Sequence, residues 1–201
     1  MSSDLTREDV LQLLSEVGAE LQRNGRQATI YVVGGAAMAL EYDTRRVTRD
    51  IDATVGSEPE SFWKAVRLVG QSHHLPPNWL NTSAAGFLSN EEDTSAREIR
   101  FPGMQVGVAS PEHLIAMKLR SMRTRDLDDL DFLFRHLGLT NPQQAADIHN
   151  RLFSDSDIGY YDPDEALYAA QRVFASADAT GHPIGEQARA KAQDNGSSEG
   201  R

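Results

Sequence analysis

The N-terminal part of the chain places its apolar residues with the period of a helix. Five of them share one face: Val10, Leu13, Leu14, Val17 and Leu21. Thr6, with Asp9 three residues later, provides a capping signal, and Asn24 with Gly25 ends the pattern. The pattern therefore predicts an amphipathic helix over residues 6–24.

Short runs of β-branched and aromatic residues follow this helix. Residues 28–33 predict a buried strand, which ends at a turn formed by Gly34 and Gly35. Residues 36–42 predict a short helix, and residues 50–55 predict a second strand. Helical spacing returns over residues 58–71.

The middle of the chain is less informative. Residues 79–95 contain few decisive signals, and residues 90–93 predict an exposed turn. Residues 96–101 and 104–109 predict a pair of strands, because Pro102 and Gly103 separate them with a turn.

Helical patterning dominates the rest of the sequence. Ser110 as a cap, followed by Pro111 and then an acidic residue, predicts the start of a helix. The pattern extends to about residue 137 and leaves open a break near Thr124.

Two further helices are predicted over residues 141–153 and 162–174. From residue 176 onward large apolar residues are almost absent, which predicts a disordered tail.

The order of these elements predicts an α/β (α+β) fold, with a small mixed sheet flanked by helices and followed by a C-terminal helical bundle. The predicted division is a core with its N-terminal helix at residues 1–109, a helical part at 110–175 and a disordered tail at 176–201.

Composition narrows the class of protein further. The chain of 201 residues has no cysteine, which excludes disulfides and thiolate zinc sites. It has neither a signal-like start nor an apolar run of about 20 residues, so we expect a cytoplasmic protein with no membrane partner. The net charge of −10 argues against a general nucleic-acid coating protein. Two local basic clusters remain: Arg45, Arg46 and Arg49, and Lys118, Arg120, Arg123 and Arg125.

The main chemical signal is a strand, a diglycine turn and a helix, followed by a strand with two acidic residues. Gly34 and Gly35 allow the backbone to bend sharply and approach a ligand, and the helix start offers free N–H groups to an anion. Strand alternation turns Asp50 and Asp52 to one face and Ile51 to the other. Two such carboxylates predict a site for a hard divalent cation beside a phosphate-binding turn.

These motifs resemble those of the DNA polymerase β-like nucleotidyltransferase superfamily. The segment Arg46-Val47-Thr48-Arg49-Asp50-Ile51-Asp52, with the later Lys118 and Arg125-Asp126-Leu127-Asp128-Asp129-Leu130, is most similar to AbiEii-like nucleotidyltransferases. These are the toxin components of type IV toxin–antitoxin pairs. The resemblance covers roughly residues 28–137.

The resemblance implies specific roles. Asp50 and Asp52 would hold Mg²⁺ or Mn²⁺ and would be catalytic together with Lys118, which would meet phosphate, and Asp126. Either Asp126 or Asp129 would orient Lys118 or the acceptor hydroxyl. The implied nucleotide-binding residues are Gly34, Gly35, Arg46, Thr48 and Asp129.

Two questions stay open at this stage. If the helix breaks near Thr124, Asp126 could be only an N-cap. Many superfamily members also carry a third carboxylate as general base on a following strand, and the predicted strand over residues 104–108 has none. Glu98 is the nearest substitute. The alternatives are Asp126 or Asp129, or an enzyme that relies mainly on positioning and metal.

The sequence thus predicts transfer of NMP from a nucleoside triphosphate (NTP) to an acceptor, which the resemblance implies to be RNA or tRNA, by a toxin with a partner antitoxin. The alternatives are an antibiotic nucleotidyltransferase, whose cationic substrates suit the acidic chain, and a degenerate module that binds nucleotide without turnover.

Overall fold

The computed structural model describes residues 4–43, 46–57, 59–121, 123–153 and 162–184. The chain divides into two compact units. The first comprises Met1–Gly86 and Asp93–Ser110, and the second comprises Phe87–Glu92 and Pro111–Arg201.

One mixed sheet organises the first unit. Its five strands within the described residues are β1 (Ala28–Val33), β2 (Ile51–Val55), β3 (Leu80–Asn81), β4 (Arg97–Phe101) and β5 (Met104–Val108). The strand order is β3-β2-β1-β5-β4. The central strand β1 is antiparallel to β2 and parallel to β5, while β3 is parallel to β2. The predicted α/β fold with a small mixed sheet is confirmed.

The two faces of this sheet differ in polarity. Ile30 and Val32 of β1 and Ile51 of β2 are at most 1 % exposed on one face. Burial of each such side chain contributes about 1.5–3 kcal/mol. Tyr31 and Asp52 point to the other face, where they are half-buried. Strand alternation thus separates the apolar core from a polar face of the same sheet.

The described residues of this unit form three α-helices: α1 (Arg7–Arg23), α2 (Gly34–Ala37) and α3 (Pro59–Ser72). The predicted cap of α1 forms a complete capping box between Thr6 and Asp9. Helix α2 continues directly into a π-helical segment, Met38–Tyr42. The helix therefore begins at the first glycine of the turn, two residues earlier than predicted.

Strand β3 was missed by the sequence analysis. It has only two residues, which is too short for any alternation to be recognised. Its position depends on burial of the adjoining Trp79, which is 1 % exposed, and on a 2.7 Å hydrogen bond from the Ile51 N–H to the Trp79 carbonyl. Tertiary packing, rather than local propensity, creates this strand.

Four helices of the second unit are described: α4 (Pro111–Ser121), α5 (Leu127–His136), α6 (Pro142–Leu152) and α7 (Pro163–Ala179). A continuous helix to residue 137 is therefore wrong, and the break near Thr124 is present. Arg123 adopts an extended conformation, and a 3₁₀ turn, Thr124–Asp126, leads into α5.

Helix α7 extends five residues beyond its predicted end at residue 174. Ala177 and Ile184 are 6 % and 5 % exposed. Both residues are therefore buried, although they lie beyond residue 176, where the composition predicted disorder. The remainder of the predicted tail, residues 185–201, lies outside the described residues. In the described part of the chain, every helix is too short or too polar to cross a bilayer.

Candidate active site

The turn after β1 depends on the absence of a side chain at Gly34. This residue has φ of +64°, a left-handed conformation that L-residues with a Cβ adopt only at a cost. It is also the first residue of α2, whose initial N–H groups lack partners within the helix. The turn thus presents backbone donors at the end of the central strand.

Asp52 lies directly against this turn. It is the register partner of Val33, the last residue of β1. A Cβ added to Gly34 would stand 3.3 Å from Oδ2 of Asp52. The structure therefore places this carboxylate beside the diglycine turn, on the polar face of β2 and opposite the buried Ile51.

The second glycine is required by Thr48. A Cβ on Gly35 would stand only 2.8 Å from the Thr48 hydroxyl oxygen. Thr48 is 8 % exposed, exchanges two backbone hydrogen bonds with Leu5, and donates its hydroxyl to the Asp50 carbonyl at 2.9 Å. Its observed contacts are thus structural, since the hydrogen bonds join the segment before β2 to the segment before α1, and the side chain packs beside Gly35.

Asp50 differs from its prediction in one respect: β2 begins at Ile51, so Asp50 precedes the strand. The Asp50 side chain is half-buried, and its Oδ2 accepts a 3.1 Å hydrogen bond from Nδ2 of Asn81. Asn81 is in turn the register partner of Asp52 on β3. Both carboxylates are therefore linked to the same short strand.

The basic residues before Asp50 differ in their exposure to solvent. Arg46 is half-buried, and its backbone N–H donates to the Asp43 carbonyl at 2.9 Å. The Arg49 side chain is 84 % exposed and lies 3.9 Å from the Asp4 carboxylate. Arg45 lies outside the described residues.

Glu98 does not lie near Asp52. Its partner in the register is Gly107 of β5, so β5 and β1 separate it from β2. At about 4.8 Å per strand the lateral separation is about 14 Å. Glu98 also forms an ion pair with Arg100 at 2.6 Å. It cannot share a cation with Asp52, and the described residues contain no group of three carboxylates or histidines that could hold a metal.

The strand beside β2 carries an amide instead of an acid. Asn81 occupies the position opposite Asp52, and the sequence analysis missed it because β3 itself was missed.

Asp93 was also missed, since its acidic neighbours predict an exposed turn. Its Oδ2 accepts the Tyr31 hydroxyl at 2.6 Å and the Ser110 N–H at 2.8 Å. Burial, reinforced by Asp93, raises the pKa of Tyr31 well above its ordinary value.

The second unit contains the other predicted site residues in a buried ion cluster. Nζ of Lys118 lies 2.8 Å from Oδ1 of Asp126 and 2.7 Å from Oδ2 of Asp129. The three residues are 2 %, 8 % and 2 % exposed, respectively. Ser121 donates its hydroxyl to the second oxygen of Asp126 at 2.9 Å.

The structure decides one question left open for Asp126, whether its side chain caps α5. The residue occupies the N-cap position of α5, but its side chain makes no capping hydrogen bond. It joins α4 to the start of α5 through Lys118 instead. Contact of Lys118 with phosphate remains a prediction, because the described contacts of its ammonium group are with carboxylates.

Comparison with known proteins supports the nucleotidyltransferase class. A family model described as "Nucleotidyltransferase of unknown function (DUF6036)" matches residues 8–165. The chain therefore belongs to this nucleotidyltransferase family, which supports the superfamily resemblance without extending to the AbiEii-like subgroup. No curated protein and no solved structure matches the chain.

Proposed function

We propose that the protein transfers a nucleoside monophosphate from an NTP to an RNA acceptor in the presence of Mg²⁺ or Mn²⁺. The observation that carries the proposal is the contact of the diglycine turn with two side chains: Asp52 of β2 lies against Gly34, and Thr48, in the segment before β2, lies against Gly35. This contact brings a backbone turn suited to phosphate and a carboxylate suited to a cation within one small region.

The donor set fits a hard divalent cation. Asp50 and Asp52 would hold it through carboxylate oxygens, the ligand type that Mg²⁺ and Mn²⁺ prefer. The bound cation would neutralise triphosphate charge as it develops during transfer. The lack of a Cβ at Gly34 lets the turn approach Oδ2 of Asp52 closely, so that phosphate on the turn and a cation on the carboxylate would be neighbours.

The residues of the chain would act mainly by binding and alignment. Backbone N–H groups at Gly34 and Gly35 would orient the triphosphate. The acceptor hydroxyl oxygen would then form a bond to the α-phosphorus while the bond to the bridging oxygen breaks, and pyrophosphate would leave with that electron pair. The hydroxyl proton would pass to solvent, because positioning and charge stabilisation supply most of the catalysis in such a transfer.

RNA is the favoured acceptor because basic residues directly precede the carboxylates. The exposed Arg49 and the half-buried Arg46 lie on either side of Thr48, whose side chain packs beside Gly35, and there they could contact an RNA backbone. A toxin role with an antitoxin partner, in the cytoplasm, follows from the AbiEii-like motifs. The net charge of −10 favours a cationic antibiotic as the alternative acceptor.

The test is incubation with each α-labelled NTP and either tRNA or aminoglycosides. We expect label in RNA and release of pyrophosphate, with loss of at least about 100-fold in the isosteric variants Asp50→Asn and Asp52→Asn. The exposed Glu60→Gln is the matched control for removal of one acidic charge. Label in the antibiotic would favour the alternative acceptor, and nucleotide binding without pyrophosphate release would show a binding module.

The toxin role has a separate test in cells. Expression of the wild-type protein should arrest growth, and Asp50→Ala together with Asp52→Ala should abolish the arrest. Persistent arrest by this double variant would contradict a catalytic toxin.

A further inference from the structure

Asn81 occupies a fixed position beside the predicted cation ligands. The preceding residues anchor it: Trp79 and Leu80 are 1 % and 2 % exposed, and Nε1 of Trp79 donates to the Val66 carbonyl at 3.3 Å. Parallel pairing with β2 then sets Asn81 opposite Asp52. Packing of Trp79 and Leu80 in the core therefore fixes the backbone position of Asn81, whose side chain is half-buried.

The orientation of the Asn81 amide is determined by its neighbours. Oδ1 accepts the Ser83 N–H at 2.8 Å, while Nδ2 donates to the Asn78 carbonyl at 3.2 Å and to Oδ2 of Asp50 at 3.1 Å. The opposite assignment would set the amide oxygen against two acceptors and the NH₂ group against a donor. Both Nδ2 protons are therefore committed, one of them to Asp50.

Asp50 needs such a partner because no strand pairing orients it. It precedes β2, and Thr48 contacts its backbone carbonyl rather than its carboxylate. The hydrogen bond from Asn81 restricts rotation of the carboxylate and engages only one of its two oxygens, Oδ2. Asp52, in contrast, is held within the strand.

We propose that Asn81 is a positioning residue that orients the Asp50 carboxylate for the divalent cation, an inference that rests on the proposed function. Partners of metal ligands typically contribute 10–100-fold to metal affinity. Loss of the Asn81 amide therefore weakens cation binding without removal of either carboxylate.

The first experiment measures Mn²⁺ affinity by calorimetry, without nucleotide. We expect Asn81→Ala to weaken binding about 10–100-fold. The control Asn78→Ala lies in the turn before β3, where the Asn78 side chain is exposed and its backbone carbonyl accepts the hydrogen bond from Asn81. It should bind within about twofold of wild type, a change of less than about 0.5 kcal/mol. Urea unfolding of each variant verifies the fold.

A second measurement on the wild-type protein does not depend on folding of the variant. In a ¹H–¹⁵N spectrum, the side-chain amide signals of Asn81 should move as Mg²⁺ saturates the protein, while those of Asn78 stay constant. Static Asn81 signals at saturation, or Asn81→Ala with wild-type affinity, would overturn the positioning role alone. Failure of the wild-type protein to bind either cation would instead refute the metal site of the proposed function and this inference with it.

Discussion

Replacement of Lys118 by methionine tests the buried ion cluster most directly. The substitution removes the cation but retains an unbranched apolar stem of similar length. Two carboxylates, Asp126 and Asp129, then lose the ammonium group that lies 2.8 and 2.7 Å from them. Because Lys118 and Asp129 are each 2 % exposed, water has little access to compensate for the loss.

The structure sets the size of this effect. The two contacting oxygens can be no more than about 5.5 Å apart, the sum of their distances from Nζ. At an effective dielectric constant of about 20, two unit charges at that separation repel by about 3 kcal/mol. Removal of one member of a buried ion pair typically costs about 3–5 kcal/mol. We therefore expect Lys118→Met to lower the free energy of unfolding by about 3–5 kcal/mol.

The assay is urea unfolding at neutral pH, followed by far-UV circular dichroism. Arg125→Met, which removes an exposed cation from the neighbouring 3₁₀ turn, should change stability by less than about 0.5 kcal/mol. Addition of Asp126→Asn and Asp129→Asn to Lys118→Met should restore about 2 kcal/mol or more, because the repulsion is removed. A cost below about 1 kcal/mol for Lys118→Met, or no recovery in the triple variant, would refute the electrostatic argument.

Two further predictions concern the glycine turn and a buried histidine. Gly34→Ala should lower the free energy of unfolding by about 1–2 kcal/mol, because φ is +64° there and the methyl group would meet Asp52. The control in the same urea assay is Gly86→Ala, since Gly86 has open space around it and no positive φ. Its free energy of unfolding should stay within about 0.5 kcal/mol of wild type. Burial lowers the pKa of His149, so the unfolded chain binds more protons below about pH 6.5, and stability should fall as the pH drops below that value. His149→Gln should flatten this dependence, and an unchanged slope between pH 7 and 5 would contradict it.

The nucleotidyltransferase signature was accessible to sequence analysis because its parts are local. The run over residues 28–33 was identified as β1 with its observed bounds, and both glycines were assigned to the turn that follows. The structure also explains why a glycine is needed at each position, which the sequence pattern could not show. Gly34 has a positive φ, and Gly35 packs against Thr48.

The residues that contact the site carboxylates could not be predicted from local sequence patterns. Asn81 lies about 30 residues from Asp50 in the sequence, on a strand of two residues, and Asp93 is hidden in an acidic run that resembles a surface turn. Neither carries a periodic signal, since each contacts its partner only after the sheet has assembled.

The sequence by itself determined most of the helices and strands, such as α1 and β1, and which of their faces are apolar, because spacing along the chain sets the direction of each side chain within an element. The tertiary structure alone decided which elements are neighbours: β3 rather than β5 beside Asp52 on β2, and Lys118 between two acids of the following turn and helix. The physical reason is that partners between elements are selected by burial of surface and charge in the assembled core, which no local period records.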